Sequence, residues 1–186
     1  MERLKRAVIL TRLVQKLREN GSWCGETHVQ KAVFFLQELT EAPFGFSFIL
    51  YKHGPFSFDL RDELTALRAD GLLMLEPQAP PYGPRLAATE AATRLQQQFP
   101  KTLKSCEKAL DFVAQEIGDK AVTQLEQIAT ALFVTRRKPR ATIEERLEVL
   151  ARLKPHIARP EAQNALRKAE ALIERVRACN SFRLAL

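Results

Sequence analysis

Cysteine is scarce in this chain, and its placement excludes joint work. Cys24, Cys106 and Cys179 are odd in number and far apart. They match neither a metal-ligand spacing nor a disulfide framework, so reduced thiols are expected. The three histidines, His28, His53 and His156, never fall at the His-x-x-x-His spacing of a helical metal site, and no metal is predicted. There is no phosphate-cradling glycine loop, and no Ser or Cys with a nucleophile motif lies near His53 in sequence. No catalytic residue and no cofactor are therefore assigned, and an enzyme is the weakest of the classes considered. No apolar run approaches the ~20 residues that span a bilayer, so no membrane partner is expected. The basic opening MERLKRAVILTRL lacks the apolar core and cleavage site of a signal peptide, which makes the expected location cytoplasmic.

What is present is an ordinary globular composition. The 186 residues are 46% hydrophobic and 27% charged, enough for one medium domain or two small ones sharing an interface. The net charge of +7 is unevenly spread. Residues 1–99 carry 12 Lys and Arg against 11 Asp and Glu, whereas residues 100–186 carry 17 against 11. Such an excess favours anionic partners, nucleic acid first, although charge alone decides nothing about function.

The chain is organised around Phe46 to Leu75. Phe46, Phe48 and Leu50 alternate with Ser47, Ile49 and Tyr51, an aromatic and β-branched run that predicts a strand broken at Gly54-Pro55. Ser57 then suits an N-cap, Leu60, Leu64 and Leu67 recur at helical spacing, and Asp70-Gly71 stops the helix. Leu72 to Leu75 and Arg85 to Ala88 flank a proline-rich tip and predict a two-stranded wing. Two helices precede this stretch. The first covers residues 2–19, and the second opens on a Thr27/Gln30 capping box with Val29, Ala32, Val33 and Leu36 on one face. Residues 1–99 thus read as a winged helix-turn-helix. Pro100 and the shift in charge mark Phe99 to Lys101 as a boundary. Residues 100–186 read as amphipathic helices, including one capped by Thr142 with Glu145, that form a small bundle packed on the first half. The fold class is α+β and mostly helical: a winged helix-turn-helix followed by a small helical bundle.

Within this frame, Val29-Gln30-Lys31 and the turn Tyr51, Gly54, Pro55 and Ser57 carry a resemblance. They look like the Leu-Gln-Lys triplet and Tyr-x-x-Gly-Pro-x-Ser turn of the YwgA-like bacterial proteins and, more distantly, of the SocA-type antitoxin domain called Panacea. LEQIAT at Leu125 to Thr130 and KPH at Lys154 to His156 extend the resemblance more faintly over most of the chain. These motifs are turns and packing residues, so the resemblance speaks to fold more than to activity. The antitoxin likeness implies a protein partner, such as a toxin.

Two sets of binding residues follow. On a helical wheel, Arg61, Thr65 and Arg68 share one side of the helix after Ser57, where they could read or position on double-stranded DNA, with Arg85 on the wing. Asp59, Asp62 and Glu63 at its start would oppose phosphate, and a solvated charged face is the equal alternative. A denser cationic cluster, Arg136, Arg137, Lys138 and Arg140, could grip phosphate without reading bases, or simply complement a helix C-terminus. The first functional reading is a non-enzymatic, DNA-associated regulator. The alternative is a protein-binding antitoxin or adaptor module that uses Phe34, Phe35, Asp59, Asp62 and Glu63 as its contact, although Phe34 and Phe35, on the flanks of the second helix, suit packing on the strand and the C-terminal half better. A homodimer would suit a regulator, but no heptad seam marks an interface.

Overall fold

The architecture, given by a computed structural model that describes residues 1–80 and 83–178, is mostly helical with two small antiparallel sheets. The element order is α1 (Arg3–Glu19), α2 (Glu26–Thr40), β1 (Ile49–Tyr51), β2 (Gly54–Phe56), α3 (Phe58–Ala69), β3 (Leu73–Glu76), β4 (Arg85–Ala88), α4 (Glu90–Gln98), α5 (Pro100–Ile117), α6 (Val122–Arg137), α7 (Ile143–Leu153) and α8 (Arg159–Ala178). Side-chain caps are present at three starts, the two predicted ones at Ser57 and Thr142 and a further one at Thr89. Ser57 Oγ accepts from the Leu60 amide at 3.3 Å, Thr89 Oγ1 accepts from Ala92, and Thr142 and Glu145 form a reciprocal capping box. Each satisfies amides that a helix start leaves without intrahelical partners.

Two helices are central rather than one-sided. In α2, every residue from His28 to Leu36 is buried, and in α1 so is every residue from Ala7 to Thr11. Helix α5 runs against α1, while α6, β2 and α5 close on α2, so each central helix meets neighbours on most of its circumference. One hydrophobic cluster consequently runs from Leu10 and Phe35 through Leu110 and Leu132 to Leu166, across both halves of the chain. Pro100 occupies the first turn of α5, where its missing N–H costs nothing. The chain there turns back along α1.

The stretch after α2 departs from expectation in an instructive way. Burial alternates as predicted, with Phe44, Phe46 and Phe48 inside and Gly45, Ser47 and Ile49 outside, but the paired strand covers only Ile49 to Tyr51. Gly54-Pro55 does not end the sheet. It forms β2, which pairs back on β1 with Leu50 opposite Pro55 and Tyr51 opposite Gly54. The Thr27/Gln30 capping box is also absent. Helix α2 starts two residues earlier, behind Gly25, and Gln30 is used elsewhere because its side chain faces the buried loop at Ser57. Phe34 and Phe35 cannot serve as a contact surface. Both are 1% exposed, and Phe34 packs edge-on against Phe48 at 5.1 Å between ring centres. Cys24 and Cys106 are buried free thiols, and Cys179 lies outside the described residues.

Candidate nucleic-acid interface

The motif residues scattered along the sequence meet at one place. The Gln30 carboxamide clamps the Ser57 backbone with two bonds, donating to its carbonyl at 2.9 Å and accepting from its amide at 3.0 Å. Next to it, Lys31 Nζ donates to the Pro55 carbonyl at 3.0 Å. Lys154, just past α7, places its three ammonium protons on the Tyr51 carbonyl, the Lys52 carbonyl and the Glu126 carboxylate at 3.2, 2.7 and 2.7 Å. Glu126 is the pivot, with His53 Nδ1 and His156 Nε2 each 3.6 Å from its carboxylate on the solvent side. Burial, partly offset by Glu126 and reinforced by Lys154, depresses the Lys31 ammonium to about 8. Gly54 sits at φ +85°, and a Cβ there would lie 3.1 Å from Thr130 Oγ1 and 3.4 Å from the Glu126 carbonyl. This network pins the β1–β2 hairpin, and through Ser57 the start of α3, to α2, α6 and the end of α7. It is a positioning device for α3.

The side of α3 that this arrangement presents carries Arg61, Thr65 and Arg68 together, as the wheel predicts. They line a groove of 340 Å³ whose other walls include Gly25, Glu26, Thr27 and His28 at the start of α2, Trp23 before it, and Pro84 and Leu86 at the β3–β4 hairpin. Gly25 supplies no side-chain cap to α2, and Glu26 in the first turn already brings a carboxylate to the helix start, where the dipole favours anions. Arg85 stands beside the groove, its guanidinium 5.2 Å from the Trp23 ring centre and its Nε donating to the Trp23 carbonyl at 3.2 Å. Trp23 and the α2 start are the part of this surface that helical periodicity could not indicate, because they come from a different element. The acidic side of α3 is divided. Asp62 accepts from Arg61 at 3.0 Å on the surface, Asp59 is exposed, and Glu63 turns inward to accept from Arg6 of α1 at 2.9 Å. Glu63 therefore holds α3 against α1 and is only 9% exposed, which removes most of it from any partner's reach.

The Arg136 to Arg140 cluster lies elsewhere. Val122, a groove residue, opens α6, whereas Arg136 and Arg137 close it, so about 20 Å of helix separates the two sites. Arg136 donates to the Glu38 carbonyl, and Arg137 donates to the Phe48 carbonyl at 3.2 Å while stacking 4.3 Å from the Phe133 ring centre. Half of the cluster thus stitches α6 to the end of α2 and the following loop. Lys138 and Arg140 remain exposed. No protein-family model matches the chain, and no curated protein matches it. Among the described residues no group of His, Cys, Asp and Glu is arranged to hold a metal ion, and no helix is long and apolar enough to cross a membrane.

Proposed function

We propose that the chain is a non-enzymatic, DNA-associated regulator with a winged helix-turn-helix, in which α3 is the helix presented to DNA and β3–β4 is the wing. The observation that carries this reading is the gathering of Arg61, Thr65 and Arg68 in one groove with the amide end of α2 and the wing base. Arginine forks suit phosphate oxygens and guanine edges, and helix amides suit phosphate. Lys138 and Arg140, at the far end of α6, are not part of the contact. The deciding experiment is binding to a labelled generic duplex over a salt series, with Arg61→Gln/Arg68→Gln and Lys138→Gln/Arg140→Gln variants. Affinity should fall steeply with salt, and the slope of log K against log salt should drop by roughly 2 in the α3 variant only. Absence of binding at low salt would remove the DNA reading.

A second reading has its own support. Ile49, Tyr51 and Phe58 are 46%, 53% and 42% exposed, and Tyr51, Phe56 and Phe58 form a ring trio with centroid spacings of 5.1 to 5.8 Å. Arg61 lies over Phe58 at 5.1 Å. Exposed tyrosine, phenylalanine and arginine in one patch is the composition of a protein-contact hot spot. This patch, rather than Phe34 and Phe35, would be the contact of an adaptor or antitoxin resembling the SocA type. A stable partner lost on Tyr51→Ala/Phe58→Ala, with duplex binding absent, would favour it.

A further inference from the structure

The far end of α6 holds a cavity of 240 Å³ that neither reading uses, lined by Thr135, Arg136, Pro139, Arg146, Glu170, Ile173, Glu174 and Arg177. Three guanidinium groups from three helices meet there. Arg146, 8% exposed, is locked in place: it donates to the Lys138 carbonyl, the Pro139 carbonyl and the Glu170 carboxylate at 3.1, 2.9 and 2.7 Å. Those bonds use three of its five N–H groups and leave two. Arg136 Nη2 is tied to the Glu38 carbonyl, yet its buried Nε has no hydrogen-bond partner among the described residues. Thr135, 7% exposed, has a buried hydroxyl that likewise lacks one, although a helical threonine can bond back to the carbonyl four residues earlier.

Buried donors left without partners are rare, because each forgoes the solvation it had in water. Here both belong to residues that line one cavity, and both can donate. Burial, with Arg177 adding its like charge, lowers the affinity of Arg136 for its proton even though Glu38 and Glu41 oppose this. The site's own carboxylates do not cancel the cations. The lining carries three guanidinium groups against two carboxylates, of which Glu170 is already held by Arg146. The volume falls below the roughly 300–1,000 Å³ typical of pockets for drug-sized ligands.

We propose that this cavity binds a small tetrahedral oxyanion, inorganic phosphate or a phosphomonoester, through Arg136, Arg146, Arg177 and the Thr135 hydroxyl. Arginine forks match such oxygens geometrically, and a hydroxyl donor completes the set. The proposal does not depend on DNA binding, since the groove along α3 lies at the opposite end of α6.

The test is calorimetric titration of the full chain with inorganic phosphate, and separately with methyl phosphate, in a buffer free of other oxyanions at constant ionic strength. Saturable one-site binding is expected, and the tighter of the two probes identifies the ligand's source. Arg177→Gln, at an exposed position, should weaken binding at least tenfold. Arg167→Gln, exposed on α8 outside the cavity, should leave it unchanged. Thr135→Val should weaken binding while keeping or raising the melting temperature of the free protein, which a merely structural hydroxyl would not do. Non-saturable heat, or equal binding by Arg177→Gln and Arg167→Gln, would overturn the proposal.

Discussion

The Lys154 ammonium lies 2.7 Å from the Glu126 carboxylate with both side chains at most 10% exposed, and it joins the end of α7 to the first turns of α6. Removing one member of a buried pair leaves the other charged and unpaired, which costs about 3–5 kcal/mol, whereas removing both costs far less. Glu126→Gln and Lys154→Met should each lower the urea midpoint with little change in slope. Their double variant should be more stable than the sum of the two losses predicts. Additive losses would mean that the two groups are not energetically coupled.

Lys31 supplies a pH signature. Its ammonium is held near 8 in the folded protein by burial, against an ordinary value of 10.5 when unfolded. Between those values the unfolded chain binds more protons, so the folded state gains relative stability as pH rises from about 8 to 10.5. Below 8 the full cost of burying the charge is present. Relative to Lys31→Met, which has no such group, the native protein should gain up to about 3 kcal/mol across that window. Parallel stability curves for the two proteins would show that Lys31 keeps its ordinary proton affinity.

Gly54→Ala should be disproportionately harmful for the loss of a single glycine. The position is left-handed, at about 1–2 kcal/mol for a residue with a Cβ, and the added methyl would press on Thr130 and on the Glu126 carbonyl. Gly45→Ala is the control. Its φ is also positive, at +75°, but nothing lies within 4 Å of the added carbon. Melting temperatures of the two variants separate backbone strain from the close approach, and equal losses would show that the neighbours yield.

Cys24 and Cys106 should be inert in the native protein. Burial pushes each thiol up to about 12, so almost no thiolate exists near neutrality. Iodoacetamide at pH 8 should label both only in denaturant, as read by peptide mapping. Labelling of either in the native protein would reveal local opening at α5 or at the loop before α2.

Much of the local structure was legible in the chain. The α3 stripe of Leu60, Leu64 and Leu67, its Ser57 cap and the Thr142/Glu145 box follow from helical period and from amides that need partners, both of which act within a few residues. So did the shared side of Arg61, Thr65 and Arg68, because a wheel is local geometry. Gln30 misled because a carboxamide that can close a capping box can equally bond any backbone brought to it, and Ser57 arrives from 27 residues away. For Phe34 and Phe35 a wheel shows only a flank, which suits packing on the strand and the C-terminal half or a partner's contact; the packing of Phe48 and Phe133 on Phe34 decides for the first.

The sequence by itself determined where most helices begin and end, which helix faces are apolar, and that the chain is mostly helical with a β3–β4 hairpin, since these depend on period, caps and turn chemistry over one or two turns. Tertiary structure alone decided that Lys31, Glu126 and Lys154 form one buried network, that Arg136 and Arg137 are spent on backbone carbonyls, and that Trp23 and the start of α2 share a groove with α3. Charges and hydrogen bonds act over a few ångströms in space regardless of separation along the chain, so which donors meet which acceptors is fixed only when the elements have packed.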